Sequence, residues 1–361
     1  MIIKRRSVRQ PIKQFAITQA IRERILDNRY SPGVRLPLRT DLQREFHASR
    51  ATIQQAFDVL QADGFIAAHG RAGTVVVDRP PHLHRIALVF PSAPPAWNRF
   101  WVALDSQARA LAHEHASEWV VFTAVEAVDD NQSYQRLLAD VQARRFAGII
   151  FAAKPSWNPE NPILRSPIPQ VVLSTASEGS GRIALYPDQQ SFIERAVEAL
   201  AEAGCARVAA LVVPFFPAED LRRAMAARGW DAGLHCIQAV PLQEPLWARN
   251  LTRLIFHPDQ RHPPDGLIIA DDNLVEHAVG GLIEAGGLRP DAVRVIAHGN
   301  FPCPAPSVLP VRRLGFDARL VLDTCFALLQ RRRNGRETPA LIRIPARFED
   351  QPTLDVARLL P

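Results

Sequence analysis

Cysteine and lysine are scarce in this chain of 361 residues, and long apolar runs are missing. The four cysteines, Cys205, Cys236, Cys303 and Cys325, stand far apart with no C-x-x-C pair. That argues against a disulfide scaffold and a cysteine zinc site, and suits a reducing cytoplasm. No apolar run reaches the ~18 residues of a membrane span. The opening MIIKRRSVRQ is basic but has no apolar stretch behind it, so no secretory signal is predicted. Catalytic signatures are absent too. There is no G-x-S-x-G, no P-loop and no H-E-x-x-H, and no carboxylate spacing singles out a glycosidase pair. His113-x-His115 falls in a helical stretch, where i,i+2 residues do not share a face. His82-x-His84 has no further ligands beside it. The expectation is a protein that is not an enzyme, with no metal and no cofactor.

What is present is a globular composition, 47% apolar and 22% charged, at a length that predicts two or three domains. The charge is uneven. Residues 1–85 carry a net +8 and the remainder a net −2. Only Lys4, Lys13 and Lys154 are lysines, so the basicity is almost all arginine. A basic head on a nearly neutral body suggests that the head meets a polyanion.

The head reads as three helices and a hairpin. Ile17, Ala20, Ile21 and Ile25 recur at helical spacing within 14–28, and Ser31-Pro32-Gly33 breaks that helix. Thr40-x-x-Gln43 offers a capping box for a short second helix. A third helix follows Ser49, with Ile53, Ala56, Phe57 and Leu60 as its apolar stripe and Gly64 at its end. The strands FIAA and TVVV then flank His69-Gly70-Arg71-Ala72-Gly73. This is the order of a winged helix-turn-helix. The third helix carries Arg50, Gln54 and Gln55 on its polar face, side chains that pair with guanine and adenine in the major groove. The glycines of the wing allow His69 and Arg71 to approach phosphate or minor groove.

The string PGVRLP…SRATIQQAFDVLQADGFI…HGRAGTVVV resembles the GntR-family winged helix over about 11–77, through Pro32, Gly33, Leu36, Pro37, Ser49, Arg50, Thr52, Ala56, Leu60, Gly64, Gly70, Gly73, Thr74 and Val75. The resemblance implies DNA contacts by Arg50 and Thr52 and by His69, Gly70 and Arg71 at the wing. The family usually has arginine where Thr40 stands, although Arg39 is adjacent, and another where Gln54 stands. Such heads are also joined to aminotransferase-like bodies that hold pyridoxal phosphate on a late lysine. Here the single body lysine, Lys154, comes early, which argues against that body.

After the proline-bearing joint at 78–85, expected to be extended and semi-rigid, short apolar runs alternate with amphipathic stretches. Strands are predicted at 85–90, 119–125, 148–153, 170–174, 207–213, 234–240, 266–271 and 293–299. Helices are predicted near 99–115, 131–144, 188–203, 217–228, 245–256, 272–285 and 317–333. The fold class is therefore α/β: parallel sheets covered by helices, with ligands at the carboxyl ends of the strands. The segments RRFAGIIFAA, IPQVVLS, DGLIIADDNLVEHAVGGLIEAGGL and DAVRVIAHG make residues 86–349 similar to the LacI/GalR-type effector domain, which shares the two-lobed fold of type I periplasmic sugar-binding proteins. Residues 350–361 are left as a tail. The resemblance implies inter-lobe crossings near 185–190, 299–312 and 334–341 and a ligand in the cleft. It nominates Asn98, Phe100, Trp101 and Asp272 as ligand residues, Asp272 serving equally well as a helix cap. The family's acid after its VRVI-type strand is replaced by Gly299, so His298 and Asn300 become candidates, with Arg222 for an arginine of the family. Phe301-Pro302 and the run from Arg313 to Asp317 read as crossover and helix cap.

The function so implied is a cytoplasmic, homodimeric transcription regulator, a repressor with inducer rather than an activator. It would bind palindromic operator DNA and a carbohydrate effector, and touch no membrane. The alternative is a sugar-binding module whose head meets polyanions without sequence preference.

Overall fold

The structure is a computed structural model that describes residues 12–70, 73–127, 132–174, 182–233, 235–286 and 293–360. The head contains α1 (Ile12–Leu26), α2 (Arg39–Glu45), α3 (Arg50–Ala62) and an antiparallel hairpin of β1 (Ile66–Ala68) and β2 (Thr74–Val76). Ile17, Ile21 and Ile25 of α1 pack with Leu42, Ile53, Phe57, Leu60 and Phe65 in one core. The third helix starts as expected. Ser49 Oγ accepts a hydrogen bond from Thr52 N at 3.1 Å, and Gly64 ends the unit with φ +79°. The second helix does not. Its N-cap is Leu38, without a side-chain cap, and the box between Thr40 and Gln43 is not made. Helix α2 begins two residues earlier than that box requires, with Asp41 in its first turn favouring the positive helix end.

The joint is not the extended spacer that its prolines suggested. Pro80 is extended, but α4 (Pro81–His84) follows as one helical turn with Pro81 at its first position, where a missing N–H is harmless. Pro81 is buried beside Gly64, and the His82 ring stacks on Phe65 at 5.7 Å. Arg333 Nη1 donates to the Leu83 carbonyl at 2.8 Å, and Arg79 donates to the Ala116 carbonyl. Glu23 of α1 lies 3.7 Å from Arg144 in an ion pair. The head is thus seated on the body through the joint.

The body has two lobes. In the first, the described strands lie in the order β13 (Leu341–Pro345), β7 (Ile183–Asp188), β6 (Gln170–Leu173), β5 (Gly148–Phe151), β3 (Arg85–Val89) and β4 (Glu118–Phe122), all parallel. Every residue of β3 is buried, because helices cover both sheet faces. Ile86 and Leu88 point into one core with α5 (Arg99–Glu114) and α11 (Ala318–Arg333). Ala87 and Val89 point into the other, with α6 (Gln132–Gln142). A fully buried leucine such as Leu88 contributes about 1.5–3 kcal/mol.

In the second lobe the order is β14 (Arg347–Phe348), β12 (Arg312–Asp317), β11 (Arg294–Phe301), β10 (Gly266–Ile269), β8 (Val208–Val212) and β9 (Ile237–Ala239), parallel except for β14. Helices α7 (Gln189–Glu202), α8 (Ala218–Ala227), α9 (Leu246–Ile255) and α10 (Val275–Glu284) accompany it.

The first crossing falls where expected, between Asp188 of β7 and Gln189 of α7. The other two do not. Residues 299–312 connect adjacent strands of one sheet, and the chain crosses at Asp317–Ala318 instead. The third crossing lies between Pro345 and Arg347 rather than at 334–341. A further return follows. A helical turn at Val356–Arg358 packs on α11, and Leu360 joins the first lobe's core, so 350–360 is not a free tail. Strand β12, RRLGFD, escaped notice because it has no β-branched residue. It pairs so closely that a Cβ on Gly315 would lie 1.9 Å from the Gly299 carbonyl oxygen. Asp317 does cap the next helix, accepting from Arg319 N at 3.0 Å.

Candidate functional site

Two sites emerge, one on the head and one between the lobes. On the head, Arg50 opens α3 on the exposed side, with no ion pair among the described residues. The Ser49 and Thr52 hydroxyls share a hydrogen bond of 2.8 Å beside it. Thr52 is therefore occupied in building the helix start, whose remaining N–H groups favour an anion. Arg39, Thr40 and Arg50 border a groove of about 400 Å³ over Phe57. The Arg39 guanidinium sits 5.3 Å above that ring, a cation–π contact that holds it at the groove. Gln55 is exposed on the same helix, whereas Gln54 Nε2 is tied to Asp58 Oδ1 at 2.7 Å. His69 and Gly70 are exposed at the hairpin tip, which closes through His69 N and the Gly73 carbonyl at 2.8 Å. Arg71 lies outside the described residues.

Arg35 was missed from the sequence. It borders the same groove and lies against Gly73, where a Cβ would come within 2.6 Å of its Nε. Gly73 adopts φ +88°, a backbone conformation that favours glycine, and the Arg35 side chain lies over it. The pairing of Arg35 with Val75 brings it there, a contact between residues remote in sequence.

Between the lobes, a cavity of about 340 Å³ lies at the carboxyl ends of both sheets. Its walls follow β3, β5, β8 and β10, the strands that flank the points where strand order reverses. Asn98, Phe100, Trp101, Asp272, His298 and Asn300 all border it. Arg222 does not. Its Nη1 donates to the Ala232 carbonyl at 2.7 Å and its Nε to Glu219 at 3.1 Å, on the far part of α8.

Asp272 is 1% exposed, and its Oδ2 accepts from Asn300 Nδ2 at 2.8 Å. It caps nothing. The N-cap of α10 is Leu274, and the neighbouring Asp271 takes the turn's hydrogen bond from Asn273 N. Burial pushes the Asp272 carboxyl above its usual range, opposed by the charge of His298 and the bond from Asn300. The His298 ring is buried between Phe192 and Phe316, at 5.4 and 5.5 Å, and its Nδ1 has no hydrogen-bond partner among the described residues. Asn98 is partly committed, since its Oδ1 caps α5 by accepting from Trp101 N at 2.9 Å. Trp101 leans edge-on against Phe90 at 5.9 Å while facing the cavity. It serves packing and wall together.

Sequence reading missed Asp271, Asn273, Tyr186, Gln189 and Phe215 on the cavity wall. Asp271 and Asn273 stood beside Asp272 in ADDN, a signal that was there to be used. Tyr186 belongs to a strand that was not predicted. Asn273 Oδ1 also accepts from Arg99 N at 3.2 Å, and Arg99 lies 3.6 Å from Glu276, so the lobes touch at the cavity rim.

A family model described as bacterial regulatory proteins, gntR family, matches residues 13–76. An arabinose metabolism transcriptional repressor from Halalkalibacterium halodurans is 22% identical over 349 residues, covering 86% of this chain and 88% of that protein. Among solved structures, the transcriptional regulator CelR–cellobiose complex is similar with a TM-score of 0.57 and 17% identity, covering 83% of this chain and 90% of that one. A LacI family transcriptional regulator from Lactobacillus casei with bound glucose is similar with a TM-score of 0.53 and 15% identity, covering 73% of this chain and 98% of that one. These likenesses establish the two-lobed α/β fold of the body, behind a helix-turn-helix head. Among the described residues, no helix is long and apolar enough to cross a membrane.

Proposed function

We propose that the protein is a cytoplasmic transcription regulator, acting as a homodimeric repressor on palindromic operator DNA and released by a sugar bound between the lobes. The observation that carries this reading is a combination within one chain. Exposed arginines and the start of α3 share one face of the head, while a cavity with apolar walls and a few convergent polar side chains lies between the lobes of the body. The repressor and regulators similar to this chain, two of them bound to cellobiose and glucose, support it.

The cavity chemistry supports an uncharged saccharide. Among the described residues its wall has Asp271 and Asp272 and no lysine or arginine. Carboxylates accept sugar hydroxyls, Asn273, Asn300 and Gln189 offer amide donors and acceptors, and Phe100, Trp101 and Phe215 give apolar faces to a ring. A phosphate or carboxylate on the ligand would meet like charge there. Sugar binding at the rim contacts of Arg99 and Asn273 would favour one lobe arrangement. Through α4 it would reposition the heads, with a coupling of ~1–3 kcal/mol typical of such switches. DNA half-sites would be centred about 34 Å apart or a multiple of it.

The test is selection of binding sites from random duplex DNA with full-length protein, followed by competition with neutral pentoses, hexoses, disaccharides and their phosphates. An enriched palindrome, released by a neutral sugar and not by its phosphate, is the expected result. Binding that is independent of sequence and falls steeply with salt would instead establish the polyanion-binding alternative.

A further inference from the structure

The loop joining α8 to β9 gathers three metal-binding side-chain types far from the inter-lobe cavity. Asp231, His235 and Cys236 each present one ligand atom, and these atoms all lie within 4.8 Å of one another. Asp231 Oδ2 and His235 Nε2 are 3.0 Å apart. The loop is anchored at both ends. Trp230 is buried and its indole N–H donates to the Cys205 carbonyl at 3.1 Å, while Ile237 opens β9.

Internal bonds aim the ligands. Gly233 N donates to Asp231 Oδ1 at 2.9 Å, which leaves Oδ2 turned toward the imidazole. Cys236 N donates to the Gly233 carbonyl at 3.0 Å, which folds the thiol back over the turn. A Cβ on Gly233 would lie 2.8 Å from His235 Cε1 and 3.2 Å from Asp231 Oδ1, so the cluster closes over a glycine. The same three residues border a cavity of about 680 Å³ that His262 and Gln238 also line. That cavity adjoins Arg207, Val208 and Ala209 at the amino end of β8, the opposite end of the sheet from the effector cleft.

Metal–ligand bonds of ~2.0–2.3 Å in a tetrahedral site place neighbouring ligand atoms roughly 3.2–3.8 Å apart. Oxygen and nitrogen are already near that separation. The thiol has on the order of 1 Å to close, and the side chains of Asp231 and His235 are exposed enough to follow it. A carboxylate, an imidazole and a thiolate suit zinc and its neighbours in the transition series, and not magnesium or calcium, which take oxygen alone. Paired cysteines, the usual sequence sign of such a site, are absent here. The spacing D-x-x-x-H-C lets one turn supply all three ligands.

We propose that Asp231, His235 and Cys236 form a binding site for a zinc-class divalent ion, with the fourth position open toward the cavity. On binding, the Cys236 thiol releases its proton to solvent as the sulfur–metal bond forms. The site stands independently of the sugar and DNA reading.

The experiment uses tag-free, chelator-stripped, full-length protein titrated with Co²⁺. A thiolate-to-cobalt charge-transfer band and the intense visible bands of tetrahedral cobalt are expected, both displaced by Zn²⁺. Cys236→Ser should remove the charge-transfer band, and His235→Ala should weaken Co²⁺ binding at least about tenfold. Cys303→Ser, at an exposed cysteine elsewhere, should leave the spectrum unchanged. Thermal melting verifies that each variant is folded. Absence of these bands in the unaltered protein, their survival in Cys236→Ser, or undiminished affinity in His235→Ala would each overturn the site and leave Asp231 and His235 as a surface ion pair.

Discussion

In the head, Arg35, Arg39 and Arg50 stand in solvent on a small unit of consecutive sequence. In the cleft, Asp272, His298 and Asn300 are buried and bond or pack with one another and with Phe192 and Phe316 of the second lobe. The two regions therefore carry function at different energetic expense. An exposed arginine gives up little hydration until DNA arrives. A buried carboxylate destabilises the empty protein, a cost that His298 and the bond from Asn300 offset only in part. Function in the head should be separable from stability, while in the cleft the two are opposed.

The contrast can be tested most strongly at Asp272. Asp272→Ala should weaken sugar binding by on the order of 3 kcal/mol, as expected for a charged hydrogen-bonding group, and leave operator binding intact in titration calorimetry and DNA-binding assays. Asp272→Asn should lose the sugar response too, yet raise the melting temperature of the ligand-free protein at neutral pH. The sign follows from burial. The folded pKa of Asp272 is raised, so its carboxylate destabilises the fold above that pKa, and the penalty is relieved as pH falls through it. The gain from Asp272→Asn should shrink in parallel. A lower melting temperature at neutral pH would mean that the empty cleft is not strained by this group.

The junction between the two regions gives the next effect. Burial, with the charge of Arg333 second, lowers the His82 pKa from 6.5 to about 4. The unfolded or undocked form takes up a proton first, so stability is full above about 6.5 and is lost as pH falls toward about 4. A loss of at most about 3.5 kcal/mol is expected, since each pKa unit corresponds to about 1.4 kcal/mol. His82→Phe, which keeps the stack on Phe65, should flatten that part of the pH–stability curve; an unchanged curve would remove His82 as its source.

On the head, Arg50→Ala should weaken specific operator binding by about 1–3 kcal/mol and relax one base position, with no shift in melting temperature. If melting shifts while affinity holds, α3 is not the reading helix. Smallest of all, Gln54→Ala should change stability by less than ~0.5 kcal/mol, because only the exposed tie to Asp58 is lost. Its effect on operator affinity should fall below that of Arg50→Ala, since Gln54 must first leave Asp58.

The same contrast governs what could be read in the sequence. The head was legible almost residue by residue, since its stripe of Ile53, Ala56, Phe57 and Leu60 and its cap at Ser49 are local patterns. Arg35 escaped because only the fold brings it beside Gly73. In the body, the long helices and the strands rich in valine and isoleucine were legible. Strands β7, β12, β13 and β14 were not: IALYPD, RRLGFD and LIRIP carry proline, glycine or charge where a buried strand usually carries valine, and β14 is only two residues long. The crossings went wrong with β12, and with them the sense that 350–360 was a tail. In the cleft, Asp272, His298 and Asn300 followed from family resemblance, while Arg222 was placed by analogy and lies elsewhere. Long-range position, rather than residue type, is what the chain's local pattern does not contain.

The repeated crossings have a consequence for how the protein is made. The first lobe begins at β3 but needs α11, β13 and Leu360 to cover its sheet. On the ribosome, the head emerges before the body and can fold first, since its core cluster lies between Ile17 and Val76 and only α4 adds to it. The first lobe must wait, with Ile86, Leu88 and Ile150 uncovered on one face, until α11 and Leu360 have left the exit tunnel. A nascent or prematurely ended chain would thus possess a finished DNA-binding head on an unfinished sensor. On the proposed reading, it would grip DNA before any sugar could release it.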